Sequence, residues 1–206
     1  MKKNERDTAM RQLRTVPTSF ETREEDGNLH ISGYFAVFGS IYELNPWETE
    51  SIAPGAFAAS LSGDVRALTN HDSTLVLGRN TAGTLQLRED SRGLWGDILI
   101  NPKDMDAMNL YERVKRGDVN QCSFGFMIGS EEADFKDDGS VHWTITRVDP
   151  LYEVSVCTFP AYEETSVNAR SAQREAAMAA HLDAWKNKLK GVLRHGTESP
   201  SAPQEN

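Results

Sequence analysis

Apolar and polar residues alternate along much of the chain, which is typical of strands with one buried face. Every second residue from Leu29 to Val37 is apolar or glycine, and this period of two predicts a half-buried strand. The turn-forming run 24–28 precedes it, so residues 20–23 and 29–38 are predicted to form a hairpin. Further short strands are predicted at residues 65–69, 75–78, 84–88, 94–100, 122–128, 141–148 and 151–158. This density of short strands predicts a mostly β, α+β fold with its sheet closed into a barrel or stacked as a sandwich.

Helical spacing is clearest in residues 104–116, where apolar side chains recur every three residues and basic residues precede Gly117. A shorter helix is predicted for residues 54–61, because Pro54 suits a first helical turn. Residues 40–51 and the acidic run 131–140 are predicted to be loops. Near the C-terminus a narrow apolar seam begins at Met178, with steps of four and three residues: Met178, Leu182, Trp185, Leu189 and Val192.

The chain is therefore divided into three parts. Residues 1–19 are predicted to be a flexible N-terminal arm, residues 20–168 a folded domain, and residues 169–206 a C-terminal helix with a disordered tail. A length of 206 residues suits one domain with tails. The apolar seam either docks on a partner or packs back on the domain, and the sequence does not decide between them.

Composition narrows the class of protein. The chain is 38% hydrophobic and 26% charged, with a formal net charge of −9, which indicates a soluble globular protein and speaks against nucleic-acid binding. Apolar runs fall short of the roughly 20 residues that span a bilayer, and the N-terminus lacks the apolar core of a secretory signal. Two cysteines make no disulfide framework, so a cytosolic site of action is expected.

The segment Asn120-Gln121-Cys122-Ser123-Phe124-Gly125-Phe126 carries the candidate chemistry. A serine nucleophile needs a base, and the base needs an orienting group. Five histidines are available: His30, His71, His142, His181 and His195. Of these, His71 follows a predicted strand and lies between two polar residues. Glu153 is the one charged side chain in the apolar strand 151–157, where a charge is costly unless it is partnered.

Other readings of these residues remain open. Turn serines usually cap backbone groups, and a strand glutamate can face solvent. Cys122 or Cys157 could instead be the nucleophile of a cysteine hydrolase, and the orienting role could fall to Asp72, Asp149 or His142. The spacing of the acidic run does not match a calcium-binding loop, and neither a zinc ligand set nor a phosphate-binding loop is present. Hence no metal and no cofactor are expected.

Taken together, several short sequence motifs in this chain resemble those of the prohead (capsid maturation) proteases of tailed phages of the HK97 type. The resemblance rests on His71 within Asn-His-Asp, Ser123 within Cys-Ser-Phe-Gly-Phe, and Glu153 within Tyr-Glu-Val-Ser-Val-Cys-Thr-Phe-Pro-Ala-Tyr. Supporting phrases are Gly-Tyr-Phe-Ala-Val-Phe from residue 33 and Ile-Ala-Pro-Gly-Ala-Phe from residue 52. It covers about residues 20–168. That family is similar in fold to the herpesvirus assemblins, which implies a small closed β-barrel ringed by helices.

The resemblance implies a serine endopeptidase with Ser123 as nucleophile, His71 as general base and Glu153 as third member. The herpesvirus enzymes have a second histidine in place of the acid, and their paired arginines linked to the oxyanion site have no counterpart in residues 159–162. The implied partners are the major capsid protein and its scaffolding segment, which the enzyme removes inside the prohead in the host cytoplasm before cleaving itself. Homo-oligomer formation is left open, and the alternative function is an inactive protease-like scaffold or capsid-assembly binding module.

Overall fold

The computed structural model describes residues 11–159 and four single helical positions, Ala179, Leu182, Asp183 and Lys186. In chain order the strands are β1 (Gln12–Pro17), β2 (Glu21–Glu25), β3 (Asn28–Val37), β4 (Tyr42–Asn45), β5 (Glu48–Ile52), β6 (Arg66–Thr69), β7 (Asp72–Arg79), β8 (Leu85–Glu89), β9 (Gly93–Ile100), β10 (Gln121–Phe135) and β11 (Val141–Cys157). The helix α1 covers Met105–Arg116, and a short 3₁₀ turn covers Asn80–Ala82. This content confirms a mostly β, α+β fold.

Two sheets share one apolar core. The larger sheet has the order β1-β10-β11-β5-β4, with β6 joined to β11 and β7 joined to β6; the smaller has the order β2-β3-β9-β8. The long strand β11 runs antiparallel to β10 and parallel to both β5 and β6. Phe35 from the smaller sheet and Phe124 from the larger are both fully buried in the common core.

The predicted closed barrel is wrong for the part of the chain that the structure describes. The edge strands β1 and β4 of the larger sheet pair with no strand of the smaller sheet, so the sheets remain open. Within residues 11–159, α1 is the single α-helix, so the expected ring of helices is not found there. Each sheet buries its apolar face in the shared core, which removes the need for closure.

The predicted helix at residues 104–116 is confirmed. Asp104 caps it, because its carboxylate accepts hydrogen bonds from the backbone N–H groups of Asp106 and Ala107 at 3.0 and 3.2 Å. Gly117 ends it in the left-handed conformation, with φ 83°. Leu110 and Val114 lie on the buried face.

Three local predictions are wrong. The loop predicted at 40–51 contains the hairpin β4–β5, and the loop predicted at 131–140 begins as the end of β10. The helix predicted at 54–61 is a run of turns. Gly55 has φ 89°, which a right-handed helix does not allow, and the Glu89 carboxylate accepts hydrogen bonds from the N–H groups of Gly55 and Phe57.

The flexible arm predicted for residues 1–19 is wrong for residues 12–17, which form β1 and pair antiparallel with β10. The buried residues of β1 include the charged Arg14, so the sequence of this strand lacks the alternation of apolar and polar residues that predicts a strand. Arg14 is buried and bonds the buried Glu50 carboxylate at 2.6 Å, and Val16 lies in the core. Residues 1–10 lie outside the described residues.

The C-terminal helix and tail predicted for residues 169–206 lie mostly outside the described residues. The four described positions there are helical, and among the seam residues Leu182 is described, with 42% of its surface exposed. The chain divides into two compact units, residues 1–166 and 167–206.

Candidate active site

Pairing between β10 and β11 places the candidate residues on one face of the larger sheet. Ser123 lies opposite Ser155, and Gly125 lies opposite Glu153. Side chains directly opposite each other on antiparallel strands share a face and lie about 5 Å apart at Cβ. Ser123, Ser155 and Glu153 therefore face the same way, as the alternation in residues 151–157 predicts.

His71 reaches this face from a tight turn. Thr69 pairs with Asp72 across the β6–β7 hairpin, and the two residues between them have positive φ, 51° for Asn70 and 62° for His71. Such two-residue turns favour asparagine followed by glycine, so a histidine in the second place is held in a strained conformation by its contacts. The Asn70 side chain accepts a hydrogen bond from the Thr158 N–H at 2.8 Å, which ties the turn to the end of β11.

Three donors surround the Glu153 carboxylate. His71 Nδ1 lies 2.7 Å from Oε1, and the Ser155 hydroxyl donates to Oε2 at 2.6 Å. Arg11 Nη2 donates to Oε1 at 2.5 Å. Ser155 Oγ also accepts the backbone N–H of His71 at 3.2 Å. The network fixes the imidazole with Nδ1 toward the acid, so Nε2 points away from the carboxylate.

The surroundings of Glu153 favour its ionised form. Burial by itself raises the pKa of this carboxyl, whose side chain is 3% exposed. The hydrogen bond and charge of His71, the Ser155 hydroxyl and the Arg11 guanidinium outweigh burial, so the pKa of Glu153 lies below its ordinary value. The strand glutamate is thus a buried, partnered carboxylate rather than a solvent-facing one.

Gly125 leaves space for this carboxylate. A methyl group built on its Cα would lie 2.4 Å from Glu153 Oε1 and 2.6 Å from Arg11 Nε. A side chain at this position, two residues after Ser123, would therefore clash with both charged groups, which explains the glycine there. Arg11 gave no sequence signal, because it lies in the segment that composition assigns to the flexible arm.

Ser123 lies beneath the surface. Its side chain is fully buried, and its Oγ has no hydrogen-bond partner among the described residues. His71 Nε2 lies 3.8 Å from Cys157 Sγ. The structure therefore joins His71 to Glu153 directly, and it leaves Ser123 on the same face without a hydrogen bond to the imidazole.

The two cysteines differ in position. Cys122 points away from Ser123, with Sγ 3.2 Å from the Tyr34 carbonyl oxygen, and burial raises the pKa of its thiol strongly. Burial and the Glu153 charge raise the pKa of Cys157 to about 12. Both thiols are therefore protonated near neutral pH, the form that is the poorer nucleophile.

The other described candidate histidines and acids make their contacts outside the Glu153 network. His30 Nδ1 bonds Asp97 at 2.9 Å in the smaller sheet. His142 bonds Thr49 and Ser51 at 2.8 Å each, and its partner on β10 lies eleven residues beyond Ser123, at Asp134. Asp72 accepts from the Thr74 N–H at 2.8 Å.

The remaining alternatives are Asp149 and two histidines near the C-terminus. Asp149 lies 3.6 Å from Arg147, and His181 and His195 lie outside the described residues. Within residues 11–159, no group of three metal-ligating side chains could hold an ion. None of the helical residues that the structure describes forms a segment long and apolar enough to cross a membrane.

This sheet face thus carries a buried carboxylate in contact with an imidazole, together with a serine, which are the three side-chain types of a serine–histidine–acid triad. The family model of the caudovirus prohead serine proteases matches residues 18–180. This match covers well over half of the chain, and the protein belongs to that family.

Two individual proteins are similar to this chain. The prohead protease of Enterobacteria phage HK97 is 25% identical over 166 residues, which cover 79% of this chain and 71% of that protein. The solved structure of the bacteriophage T4 capsid assembly protease covers 71% of this chain and 96% of its own, with a TM-score of 0.45 and 11% identity. Membership of the family makes the protein a phage prohead protease.

Proposed function

We propose that the protein is a serine endopeptidase of capsid maturation in which Ser123 is the nucleophile, His71 the general base and Glu153 the orienting acid. The observation that carries the proposal is the 2.7 Å contact between His71 Nδ1 and the buried Glu153 carboxylate, on the sheet face that also bears Ser123. Membership of the prohead serine proteases supports the reaction class.

Ser155 is the competing serine on this face, and its contacts speak against it as nucleophile. Its hydroxyl donates a hydrogen bond to Glu153, and its oxygen accepts a hydrogen bond from the His71 backbone N–H. Ser123 Oγ carries no such bonds, so its proton is available to the imidazole. The Ser123–His71 hydrogen bond forms when substrate engages the site, since such bonds are often long in free enzymes.

The reaction proceeds by acyl transfer. Ser123 Oγ bonds to the scissile carbonyl carbon while His71 Nε2 takes its proton, and Glu153 stabilises the imidazolium that results. The imidazolium returns the proton to the amide nitrogen as the carbon–nitrogen bond breaks. Water, deprotonated by His71, then attacks the acyl-enzyme, and Ser123 regains its proton. Backbone N–H groups stabilise the oxyanion.

The substrate of this reaction is the major capsid protein of the phage. The enzyme acts within the prohead, removes the N-terminal scaffolding segment and then cleaves itself. The name of the HK97 relative, a prohead protease, supports this placement.

Co-expression with the capsid protein tests the proposal. Intact-mass measurement of capsid protein from assembled particles should show a truncated product with the wild-type enzyme and full-length protein with Ser123→Ala. Truncation at the wild-type rate with Ser123→Ala would contradict the role of Ser123. Assembled particles with full-length capsid protein in both cases would point to a catalytically inactive scaffold instead.

A cysteine hydrolase is the second candidate, because Cys157 Sγ lies 3.8 Å from His71 Nε2. The raised pKa of its thiol speaks against it. Cys157→Ala should therefore process capsid protein as the wild type does, and loss of processing in that variant with Ser123→Ala unaffected would transfer the nucleophile to Cys157.

A further inference from the structure

Arg11 belongs to the candidate site although it lies just before the edge strand. On β1 the side chains of Gln12, Arg14 and Val16 are buried on one face, so the alternate positions, beginning with Arg11, face the other way. That face carries Ser123 and Gly125 on the neighbouring strand. Pairing of β1 with β10 thereby delivers the guanidinium to the Glu153 carboxylate.

The contact fixes the direction in which the carboxylate points. Oε1 accepts from both His71 Nδ1, at 2.7 Å, and Arg11 Nη2, at 2.5 Å. A carboxylate oxygen offers about two lone pairs, so both sites on Oε1 are filled. Ser155 holds the second oxygen. The bare Cα of Gly125 leaves room for Oε1 and the guanidinium side by side.

The contact also supplies charge. Burial disfavours an ionised carboxylate, and the Arg11 guanidinium opposes this with a charge that does not depend on the protonation of His71. Among residues 11–159, Arg11 is the permanently charged residue that donates a hydrogen bond to Glu153. Its side chain is 43% exposed, so solvent weakens its effect without removing it.

We propose that Arg11 is a positioning residue of the active site, which keeps Glu153 ionised and aimed at His71. This inference rests on the proposed function. The N-terminal strand is then part of the catalytic apparatus rather than an arm attached to it.

The direction of the pH effect follows from the neighbouring charges. Around His71 these are Glu153 and Cys157 on β11, Arg11, which shares Glu153 Oε1 with His71, and Asp72 at the start of β7. A positive charge at Arg11 favours the ionised form of Glu153, so the carboxylate continues to orient the imidazole at lower pH. Loss of Arg11 moves the acidic limb of the kcat/KM profile to higher pH.

Arg66 provides a matched control. It lies opposite Glu153 in the register of β6 with β11, but its guanidinium pairs with Asp64 at 3.1 Å. Removal of its charge tests a general electrostatic effect at a similar place in the sheet without touching the carboxylate.

The experiment measures kcat and KM across pH for the full-length enzyme, on a peptide spanning the capsid cleavage site. For Arg11→Gln we expect an acidic limb about 0.5–1 pH unit higher, since opposite charges shift carboxyl pKa values by about 1–3 units when close and less when exposed. We also expect kcat to fall about tenfold with KM unchanged. This loss is smaller than the roughly 10²-fold loss that a misplacement of about 1 Å causes. Arg11→Lys should restore the position of the limb, and Arg66→Gln should leave it in place.

Ser123→Ala is run in parallel to separate the two claims. If Ser123→Ala is inactive and Arg11→Gln keeps the wild-type profile, the role of Arg11 is overturned while the proposed function stands. Equal shifts with Arg11→Gln and Arg66→Gln overturn it as well. Activity in Ser123→Ala overturns the proposed function itself.

Discussion

Gly125→Ala tests the position of the Glu153 carboxylate without altering any polar group. The added methyl would lie 2.4 Å from Oε1, and real Cβ contacts essentially never fall below 3.0 Å. Because backbone on both sides is paired in the sheet, the carboxylate and the Arg11 guanidinium must move. Oε1 would have to shift by about 0.6 Å to reach 3.0 Å from the methyl, which disturbs its 2.7 Å contact with His71 Nδ1, since hydrogen bonds keep to about 2.7–3.2 Å.

The expected cost follows from this displacement. Misplacement by about 1 Å costs about 10²-fold in rate, so about 0.6 Å should lower kcat by about 10- to 50-fold. A tenfold loss corresponds to about 1.4 kcal/mol of transition-state stabilisation. The overpacked site should also lose about 1–3 kcal/mol of stability, which a thermal melt measures separately.

Gly129→Ala is the matched control on the same strand. Its added methyl would lie 2.7 Å from Arg147 Nε, the end of a flexible side chain that is 53% exposed and can swing away. We expect near-wild-type cleavage of a peptide spanning the capsid cleavage site. The double variant Gly125→Ala, Glu153→Asp should lose less activity than the sum of the two single losses, because the shorter acid makes room for the added methyl.

A folded Gly125→Ala enzyme with wild-type kcat would refute this reasoning. It would mean that the orientation of Glu153 toward His71 does not limit the reaction. Equal losses in Gly125→Ala and Gly129→Ala would point instead to a general effect of substitution on β10.

Three further predictions concern the same face. Ser123→Ala should abolish cleavage and leave the melting temperature unchanged or higher, because the removed hydroxyl is buried and has no hydrogen-bond partner among the described residues. Ser155→Ala, in contrast, should cost about 1–3 kcal/mol of stability by leaving its partners unpaired. His71→Gly and His71→Ala should both be inactive, with the glycine variant about 1 kcal/mol more stable in urea unfolding because φ is 62° there; equal stability would argue against strain. Glu153→Gln should leave residual activity. Ionised Glu153 stabilises the fold, so the variant should be less stable than wild type by the full amount well above pH 4.5, the ordinary pKa of the carboxyl. The difference in unfolding free energy should shrink as the pH falls through the lowered pKa of the folded state; a difference that does not change with pH would contradict this.

Sequence patterns predicted the parts of the fold that depend on local physics. The helix 104–116 was predictable because its cap, its apolar spacing and its terminal glycine are all local signals. The hairpin β2–β3 was predictable from alternation and turn residues. The closed barrel was not a local prediction, since closure depends on which edge strands pair, and β1 and β4 pair with no strand of the smaller sheet.

The candidate site was predictable where a residue was chemically out of place. Glu153 stood out as a charge in an apolar strand, and the structure gives it the partners that such burial requires. Arg11 could not be found, because its role depends on pairing of β1 with a strand more than a hundred residues away. The inward Arg14 of β1 is balanced by Glu50 from a third strand, and so β1 lacks the apolar alternation that marks strands in sequence.

Covalent labelling of the nucleophile tests the central claim most directly. Assembled particles containing the wild-type enzyme are treated with a fluorophosphonate, and the modified residue is located by peptide mass spectrometry. The proposal predicts a single adduct on Ser123, absent from His71→Ala particles, together with loss of capsid-protein processing. An adduct on Ser155 or Cys157, or continued processing after complete labelling of Ser123, would contradict it.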